Sequence, residues 1–196
     1  MRTFTTATER KTHSTRAPTC FTSARTNTPY YPGTGAFNEV GTGGGEGFTV
    51  NLPLEGGYGD GDYALLIDEI IAPVAREFVP DLIMLSAGYD IHESDPLGAM
   101  RVTPSGFAGI FERMLALADE LCAGRFVAVL EGGYDIPGLT GSVKESLLTM
   151  LAEPAGRERK APPPLRREEI RRIVETARRV QSPYWKSLSS PRASVG

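Results

Sequence analysis

The segment DLIMLSAGYD, residues 81–90, decides the fold class of this 196-residue chain. Its apolar residues form a short continuous run that ends in a glycine, an aromatic residue and an acid. This is the pattern of a buried parallel strand with a polar loop at its carboxyl end. A second run, RFVAVL at residues 125–130, ends in the similar segment EGGYD. Because ligands bind beyond the carboxyl ends of strands in open α/β sheets, Asp90 and Tyr134 are expected at the same rim.

Helical patterns alternate with these two strands. The other predicted elements are a strand at residues 48–54 and helices at residues 63–78, 104–122 and about 139–151. Pro73 lies inside the first helix and should kink it or split off its last turns. Thr103 followed by proline is a start signal for the second helix, and Gly124 is a stop signal. The alternation indicates an α/β protein with a parallel sheet covered by helices.

Composition excludes several classes of function. The net charge of −3 provides no basic surface for direct nucleic-acid binding. The apolar runs are far shorter than the ~20 residues that a membrane-spanning helix needs. Two cysteines, Cys20 and Cys122, suit a reducing compartment and do not form a disulfide framework. A cytoplasmic protein is therefore expected, with its oligomeric state left open.

The chain divides into three parts by composition. Residues 1–28 are rich in Thr, Arg and Ser and show neither helical nor strand periodicity, and residues 29–153 carry the alternating strands and helices. Residues 154–196 form a polar tail with a basic amphipathic helix at residues 165–181, whose apolar stripe favours packing against the domain. Glutamates offset the arginines of this helix, which argues against nucleic-acid or membrane contact.

Four motifs together carry a family resemblance. They are PYYPGTG at residues 29–35, SAGYDIHESDPLG at 86–98, RVTPSGF at 101–107 and LEGGYD at 130–135. In order and spacing they resemble the second half of the histone deacetylase superfamily, including acetoin-utilisation proteins and acetylpolyamine amidohydrolases, with LEGGYD closest to the class II branch. The resemblance implies a three-layer arginase/deacetylase-like α/β fold with a parallel sheet. It also implies that the chain holds only the C-terminal half of that fold.

The resemblance also implies roles for five residues. Asp90 corresponds to a ligand of the family's Zn²⁺, and Tyr134 to the tyrosine that hydrogen-bonds the oxyanion formed when water attacks an acetyl carbonyl. Gly132 and Gly133 would let the backbone pass close to the substrate, and Tyr31 would line the tunnel for the acyl-lysine stem. The alternatives are a turn-capping role for Asp90, a core position for Tyr134 and simple packing for Tyr31.

Other polar segments are expected to be structural. His92 is interpreted as an exposed loop histidine, and Asp95 as a turn carboxylate. GTGGGEG and GYGDGD, at residues 41–47 and 57–62, lack the spacing and context of phosphate-binding loops and are interpreted as turns.

Most of the catalytic groups that the resemblance implies are missing. The family's other two zinc ligands lie in a DxHHGNGTQ-like segment and its general base in a tandem histidine pair, whereas this chain has only His13 and His92. We therefore expect a truncated and inactive deacetylase that does not retain zinc, from a lineage acting on acetyl-lysine or small acetylated amines. The alternative is a non-catalytic remnant of the scaffold. An arginase-like hydrolase would need Asp-rich two-metal motifs, which DIHESD matches poorly.

A frameshift would explain part of this loss. Permitted codons for residues 1–12 also spell ADVHHGNGTQD when read two bases later, and the second frame can continue to Pro29, where it joins the motif PYYPGTG. The hypothesis is that residues 1 to about 29 are a frameshifted translation, with the lost ligands opposite Arg2 and Phe4. A genuine low-complexity extension or a transit peptide is the alternative. Residues 1–28 are then expected to be partly disordered in isolation, and the remaining sheet to expose an edge and an uncovered apolar face.

Overall fold

Five parallel strands form one sheet in a computed structural model that describes residues 2–7, 19–21, 35–153 and 162–189. The strands are β1 (Thr3–Ala7), β2 (Thr19–Phe21), β3 (Thr49–Asn51), β4 (Leu82–Gly88) and β5 (Phe126–Gly132). Their order is β3-β2-β1-β4-β5, and every neighbouring pair is parallel. The predicted parallel sheet and its two apolar strands are confirmed.

Five α-helices accompany the sheet within the described part of the chain. They are α1 (Asp60–Leu66), α2 (Ala72–Phe78), α3 (Pro104–Cys122), α4 (Ile136–Leu151) and α5 (Arg167–Gln181). The predicted start of α3 is confirmed, since Thr103 Oγ1 accepts a hydrogen bond of 3.2 Å from the backbone N–H of Gly106. Asp135 caps α4 in the same way, so this helix begins three residues earlier than its apolar pattern indicated.

The interruption predicted at Pro73 is confirmed. A π-helical segment, Ile67–Ile71, separates α1 from α2, and Pro73 lies in the first turn of α2. Proline has no N–H to donate to the carbonyl oxygen four residues earlier, which belongs to Glu69. The Nη2 atom of Arg178 in α5 donates to that oxygen at 3.3 Å and to the Glu69 carboxylate at 2.6 Å. The distant helix therefore satisfies a carbonyl that the proline leaves free.

At β5 the two faces of the sheet differ in exposure among the described residues. The covered face holds buried Ile83 and Leu85 of β4, and in β5 the ring of Phe126 lies 6.1 Å from that of Phe111 in α3. On the opposite face Val127 and Val129 of β5 are 42% and 43% exposed. The predicted exposed apolar face is thus seen at β5, whereas Ser86 of β4 and Asn51 of β3, which lie on the same side of the sheet, are buried.

The N-terminal region differs from its prediction. No strand was expected within residues 1–28, yet β1 lies between β2 and β4, and Phe4 is fully buried with its ring 6.3 Å from that of Phe78. Threonine and phenylalanine favour strands, but a run of five residues is too short for its periodicity to be recognised. Tyr31 and His13 lie outside the residues that the structure describes.

The C-terminal segment packs against the domain, as its apolar stripe predicted. Ile170, Val174 and Ala177 of α5 are buried. Beyond them, Gln181 Nε2 donates to the carbonyl oxygen of Thr49 in β3 at 2.9 Å, and Trp185 Nε1 donates to that of Gly47 at 2.8 Å. Within the part of the chain that the structure describes, no helix is long and apolar enough to cross a membrane.

Candidate functional site

The candidate site lies where β4 and β5 end side by side. Gly88 is paired with Gly132 after a register shift that follows Ala87. Asp90 lies in a 3-10 turn, Tyr89–Ile91, directly after β4. A Cβ atom on Gly132 would lie 3.0 Å from both Cγ and Oδ1 of Asp90, so the absence of a side chain there lets the carboxyl group approach β5. The structure thus brings Asp90 and Gly132 together at the predicted rim.

The Asp90 carboxyl group is buried without full compensation. Its Oδ1 atom has no hydrogen-bond partner among the described residues. Burial raises the pKa of Asp90, the negative charges of Asp95 and Glu131 raise it further, and a backbone hydrogen bond at Asp90 itself opposes the shift. A buried oxygen without a donor can serve as a ligand atom for a cation.

Tyr63 places a second unpartnered polar atom in this region. Its hydroxyl group is buried and has no hydrogen-bond partner within the described part of the chain. Burial raises the pKa of Tyr63, and the negative charges of Asp90 and Asp62 add to that shift. The apolar pattern predicts this residue only as the start of an amphipathic helix. No local pattern signalled it, because its relation to Asp90 depends on how α1 packs.

The described residues do not fit a catalytic zinc site. Such a site usually has three protein ligands, and no group of three His, Cys, Asp or Glu side chains suited to a metal occurs within the described ranges. The positions that the frameshift hypothesis assigns to the lost ligands do not converge on Asp90 either. Phe4 pairs with Ile83, which lies five residues before the end of β4. At ~3.3 Å per residue, Phe4 is therefore roughly 17 Å from the strand end that Asp90 follows.

Asp95 is a turn carboxylate, as predicted, and it also joins two loops. Its Oδ1 atom accepts hydrogen bonds from the backbone N–H groups of Leu97 and Gly98, at 2.9 and 3.2 Å. Its Oδ2 atom accepts from those of Tyr134 and Asp135, at 2.7 and 3.3 Å. This carboxylate therefore fixes the backbone of Tyr134 relative to the loop that follows Asp90.

Tyr134 extends from the rim into solvent. Its side chain is 58% exposed, so the alternative of a core tyrosine is wrong. Gly133 has a φ of +132°, a region that side-chain-bearing residues rarely adopt, and a Cβ there would lie 2.9 Å from Leu139 Cδ1. The glycine pair thus has two separate uses: Gly132 admits the Asp90 carboxyl group and Gly133 turns the chain toward Tyr134.

His92 differs from its prediction. It was interpreted as an exposed loop residue, but only 6% of it is exposed. Its Nδ1 atom accepts a hydrogen bond of 3.1 Å from the backbone N–H of Ser94, and the ring packs against Gly138 at the start of α4. The α4 contact, 46 residues away in sequence, is what buries the ring.

The first glycine-rich segment is a turn, as predicted, whereas the second is only partly a turn, because Gly59 caps α1 and residues 60–62 form the first turn of that helix. Gly43–Gly45 forms a 3-10 turn. In the second segment the Asp62 carboxylate accepts hydrogen bonds from the backbone N–H groups of Gly59 and Arg166, at 2.9 and 3.2 Å. The Asp62 carboxylate therefore links the beginning of α1 to the residue that directly precedes α5.

Comparison with known proteins identifies the family of this chain. A family model described as "Histone deacetylase domain" matches residues 9–150. The chain belongs to the histone deacetylase family. It is 42% identical over 172 residues to the "Probable deacetylase" of Archaeoglobus fulgidus, which covers 81% of this chain and 47% of that deacetylase. It is 44% identical over 156 residues to "Histone deacetylase 10, chloroplastic" of rice, Oryza sativa subsp. japonica, covering 78% and 35% of the two chains.

Solved deacetylase structures share the fold. The HDA15 HD domain superposes with a TM-score of 0.76 at 29% identity, over 95% of this chain and 52% of that domain. The histone deacetylase Clr3 superposes with a TM-score of 0.82 at 25% identity, over all of this chain and 35% of Clr3. This chain thus spans about half or less of the length of these deacetylases. The predicted α/β fold, a partial arginase/deacetylase-like fold, is confirmed.

Proposed function

We propose that this chain derives from a zinc-dependent amide hydrolase that removes acetyl groups from acetyl-lysine or from small acetylated amines. The observation that carries the proposal is the Asp90 carboxyl group against Gly132, with its Oδ1 atom lacking a partner among the described residues, at a rim shared with exposed Tyr134. Asp90 is proposed as a zinc ligand of the complete site. Tyr31 is proposed as part of the substrate tunnel, and the glycine pair as backbone close to the substrate.

Tyr134 is proposed as the oxyanion donor. When an amide is hydrolysed, negative charge develops on the carbonyl oxygen, and a phenol hydroxyl at hydrogen-bond distance stabilises it by about 3 kcal/mol. The exposure of the Tyr134 ring leaves its hydroxyl free to meet a substrate from solvent. The Asp95 carboxylate supports this role because it holds the Tyr134 backbone in place.

We further propose that the 196-residue chain does not itself catalyse this reaction. Asp90 is one carboxylate, and the sequence contains two histidines, so neither two further zinc ligands of the family type nor a tandem histidine base is present. The chain would then be a non-catalytic form of the scaffold, in a reducing compartment such as the cytosol and without nucleic-acid contacts. The acetylated substrates are those proposed for the active enzyme from which this chain derives.

The frameshift remains part of this proposal. A second reading frame through residues 1 to about 29 would restore the DVHHGNGTQ segment directly before PYYPGTG. Sequencing the encoding DNA tests it. Codons in this region that are incompatible with the shadow peptide, in one uninterrupted frame, would exclude it.

Zinc content and turnover test the proposed inactivity. After incubation with equimolar ZnSO4 and desalting, the purified chain should hold well under one zinc per molecule and should not hydrolyse an acetyl-lysine reporter. The Archaeoglobus fulgidus relative serves as the parallel control. Stoichiometric zinc and turnover that are both lost in Asp90→Ala would show that the chain is an active enzyme after all. In that case Tyr134→Phe should lower kcat about a hundredfold, since the oxyanion would lose its donor.

A further inference from the structure

Tyr63 and Asp90 each have an enclosed oxygen atom without a hydrogen-bond partner among the described residues. The two atoms are the hydroxyl oxygen of Tyr63 and Oδ1 of Asp90. Tyr63 is only 4% exposed, so water at the protein surface does not hydrate its hydroxyl group. An unpaired buried polar group is unfavourable, because it has lost its hydrogen bonds to water and gained none. Two such atoms in neighbouring elements suggest that they share a partner.

Backbone hydrogen bonds place the beginning of α1 beside the turn that contains Asp90. The N–H of Arg101 donates to the carbonyl oxygen of Tyr58, just before α1, at 2.8 Å. The N–H of the next residue, Val102, donates to the carbonyl oxygen of Ile91 at 3.2 Å. Ile91 directly follows Asp90 in the same 3-10 turn. A two-residue segment therefore connects the entrance of α1 to the Asp90 turn.

The beginning of α3 holds the same two regions. Asp60, the first residue of α1, accepts hydrogen bonds from the N–H and the hydroxyl group of Thr103, at 2.8 and 2.7 Å. The ring of Tyr89, the residue before Asp90, lies 4.8 Å from the ring of Phe107. Thr103 caps α3 and Phe107 lies in its first turns. Since both regions are attached to one end of one helix, their relative position is fixed.

The Asp90 carboxyl group and the Tyr63 hydroxyl group have complementary hydrogen-bonding properties. Burial raises the pKa of Tyr63, and the charge of Asp90 raises it further, more than that of Asp62 in the same helix. A phenol whose pKa is raised above ~10 keeps its proton at neutral pH and can donate it to a hydrogen bond. An ionised carboxylate can only accept hydrogen bonds. One group therefore supplies the donor that the other lacks.

We propose that Tyr63 positions the Asp90 carboxyl group through one buried water molecule. The Tyr63 hydroxyl group donates to the water, and the water donates to Asp90 Oδ1. A bridging molecule is needed because the two oxygen atoms do not hydrogen-bond to each other directly. Buried waters typically connect polar groups of this kind, and such a bridge is almost as favourable as a direct hydrogen bond. The bridge would hold the carboxyl group in one orientation at the rim.

The functional meaning of this contact rests on the proposed function, in which Asp90 binds a ligand. A carboxyl group that is already oriented loses less conformational entropy when it binds. Tyr63 would not touch that ligand, so it is a positioning residue. The contact itself belongs to the ligand-free chain, and its test therefore requires neither a metal nor a substrate.

A double-mutant cycle on the full 196-residue chain tests the contact. Tyr63→Phe removes only the hydroxyl oxygen, and Asp90→Ala removes the carboxyl group. Urea unfolding in EDTA at pH 7 is measured for the wild type, both single variants and the double variant. We expect Tyr63→Phe to raise the unfolding equilibrium constant about fivefold in the wild-type background, which corresponds to one lost hydrogen bond. With alanine at position 90 the same change should be less than about twofold, because the shared partner is gone.

Tyr89→Phe is the matched control. It removes another buried tyrosine hydroxyl group, next to Asp90 in sequence, which hydrogen-bonds with Ser146 instead. Its effect on the unfolding equilibrium constant should be equal with and without the Asp90 carboxyl group. This control separates a specific link between Tyr63 and Asp90 from a general effect of removing a hydroxyl group near the rim.

Two results of the cycle would overturn the proposal. An unpaired hydroxyl group is unfavourable, so a purely structural Tyr63 would give equal or higher stability in Tyr63→Phe. An equal loss of stability in both backgrounds would show that Tyr63 bonds to a group other than Asp90.

A crystal structure of the wild-type chain provides a measurement that does not depend on the variants folding. We expect a water molecule within about 3.2 Å of both the Tyr63 hydroxyl oxygen and Asp90 Oδ1. A structure in which no water bridges these atoms would overturn the proposal. Zinc content and turnover are measured separately, so a failure of the proposed function leaves this result interpretable.

Discussion

Two carboxylates, five residues apart, have opposite surroundings: Asp95 is buried, and Asp90 is partly buried with one oxygen atom fully enclosed. Asp95 accepts hydrogen bonds from four backbone N–H groups, which satisfies a negative charge inside the protein. Asp90 has an oxygen without any partner in the described part of the chain. Burying a charge without donors is unfavourable, so its cost has to be offset by the rest of the structure. Such local cost is typical of positions kept for a ligand rather than for stability.

Asp90→Asn should stabilise the metal-free chain at neutral pH. The folded state raises the pKa of Asp90 above the ~3.9 of an unfolded chain, so it binds this proton more tightly than the unfolded state does. The free energy of unfolding should therefore fall as pH rises through the raised pKa. Asparagine removes this titration and should add about 1 kcal/mol to the free energy of unfolding at pH 7. Urea unfolding at pH 4 and pH 7 in EDTA measures this free energy for the variant and the wild type.

The matched control is Glu153→Gln, because Glu153 is an exposed acid. This variant should not change the free energy of unfolding at pH 4 or at pH 7. A lower stability of Asp90→Asn than of the wild type at pH 7 would contradict the expectation.

Asp95→Ala should destabilise the chain by about 3 kcal/mol. Removing the carboxylate leaves four N–H groups without their acceptor, and hydrogen bonds to charged groups are worth ~1.5–3 kcal/mol each before water replaces some of them. Asp95→Asn keeps one acceptor oxygen and should lose roughly half as much. Chemical denaturation measures both, with exposed Glu93→Ala as the control. Equal stability of the alanine variant and the wild type would show that the carboxylate does not hold the loops.

Among the elements, α3 was predicted accurately and β1 was not. The start of α3 is encoded by neighbouring residues, because the Thr103 hydroxyl caps an N–H three positions away and a proline follows it. The place of β1 depends on strands that lie far away in sequence, since Thr3 pairs with Leu82. A five-residue strand carries little pattern of its own, and its burial depends on its neighbours.

Phe4→Ala tests whether β1 is part of the core. Phe4 is fully buried and its ring contacts that of Phe78, so truncation should cost about 3–4 kcal/mol of unfolding free energy. Leu151→Ala, at a position 82% exposed, is the control and should cost little. Urea denaturation followed by the fluorescence of Trp185 gives both values. A loss below about 1 kcal/mol for Phe4→Ala would place residues 3–7 outside the cooperative core.

On the scale of the whole molecule, the β5 end of the described sheet carries exposed apolar side chains, among them Val127, Val129 and Leu151. Exposed apolar patches next to a free strand edge promote association. The chain by itself should therefore bind a hydrophobic dye such as ANS. The double variant Val129→Lys, Leu151→Lys should reduce dye fluorescence several-fold and raise the solubility limit. Dye binding equal to that of the wild type would mean that the surface is covered in solution.

The sequence by itself determined the family, the parallel arrangement of β4 and β5, the limits of α3 and the shared rim of Asp90 and Tyr134. These features depend on apolar periodicity, caps and motifs that neighbouring residues encode. Only the tertiary structure decided that His92 is buried, that Tyr63 lies near Asp90 and that Asp95 holds the backbone of Tyr134. The last contact joins residues 39 positions apart. Such contacts depend on how helices and strands pack, and no local pattern in the chain specifies that packing.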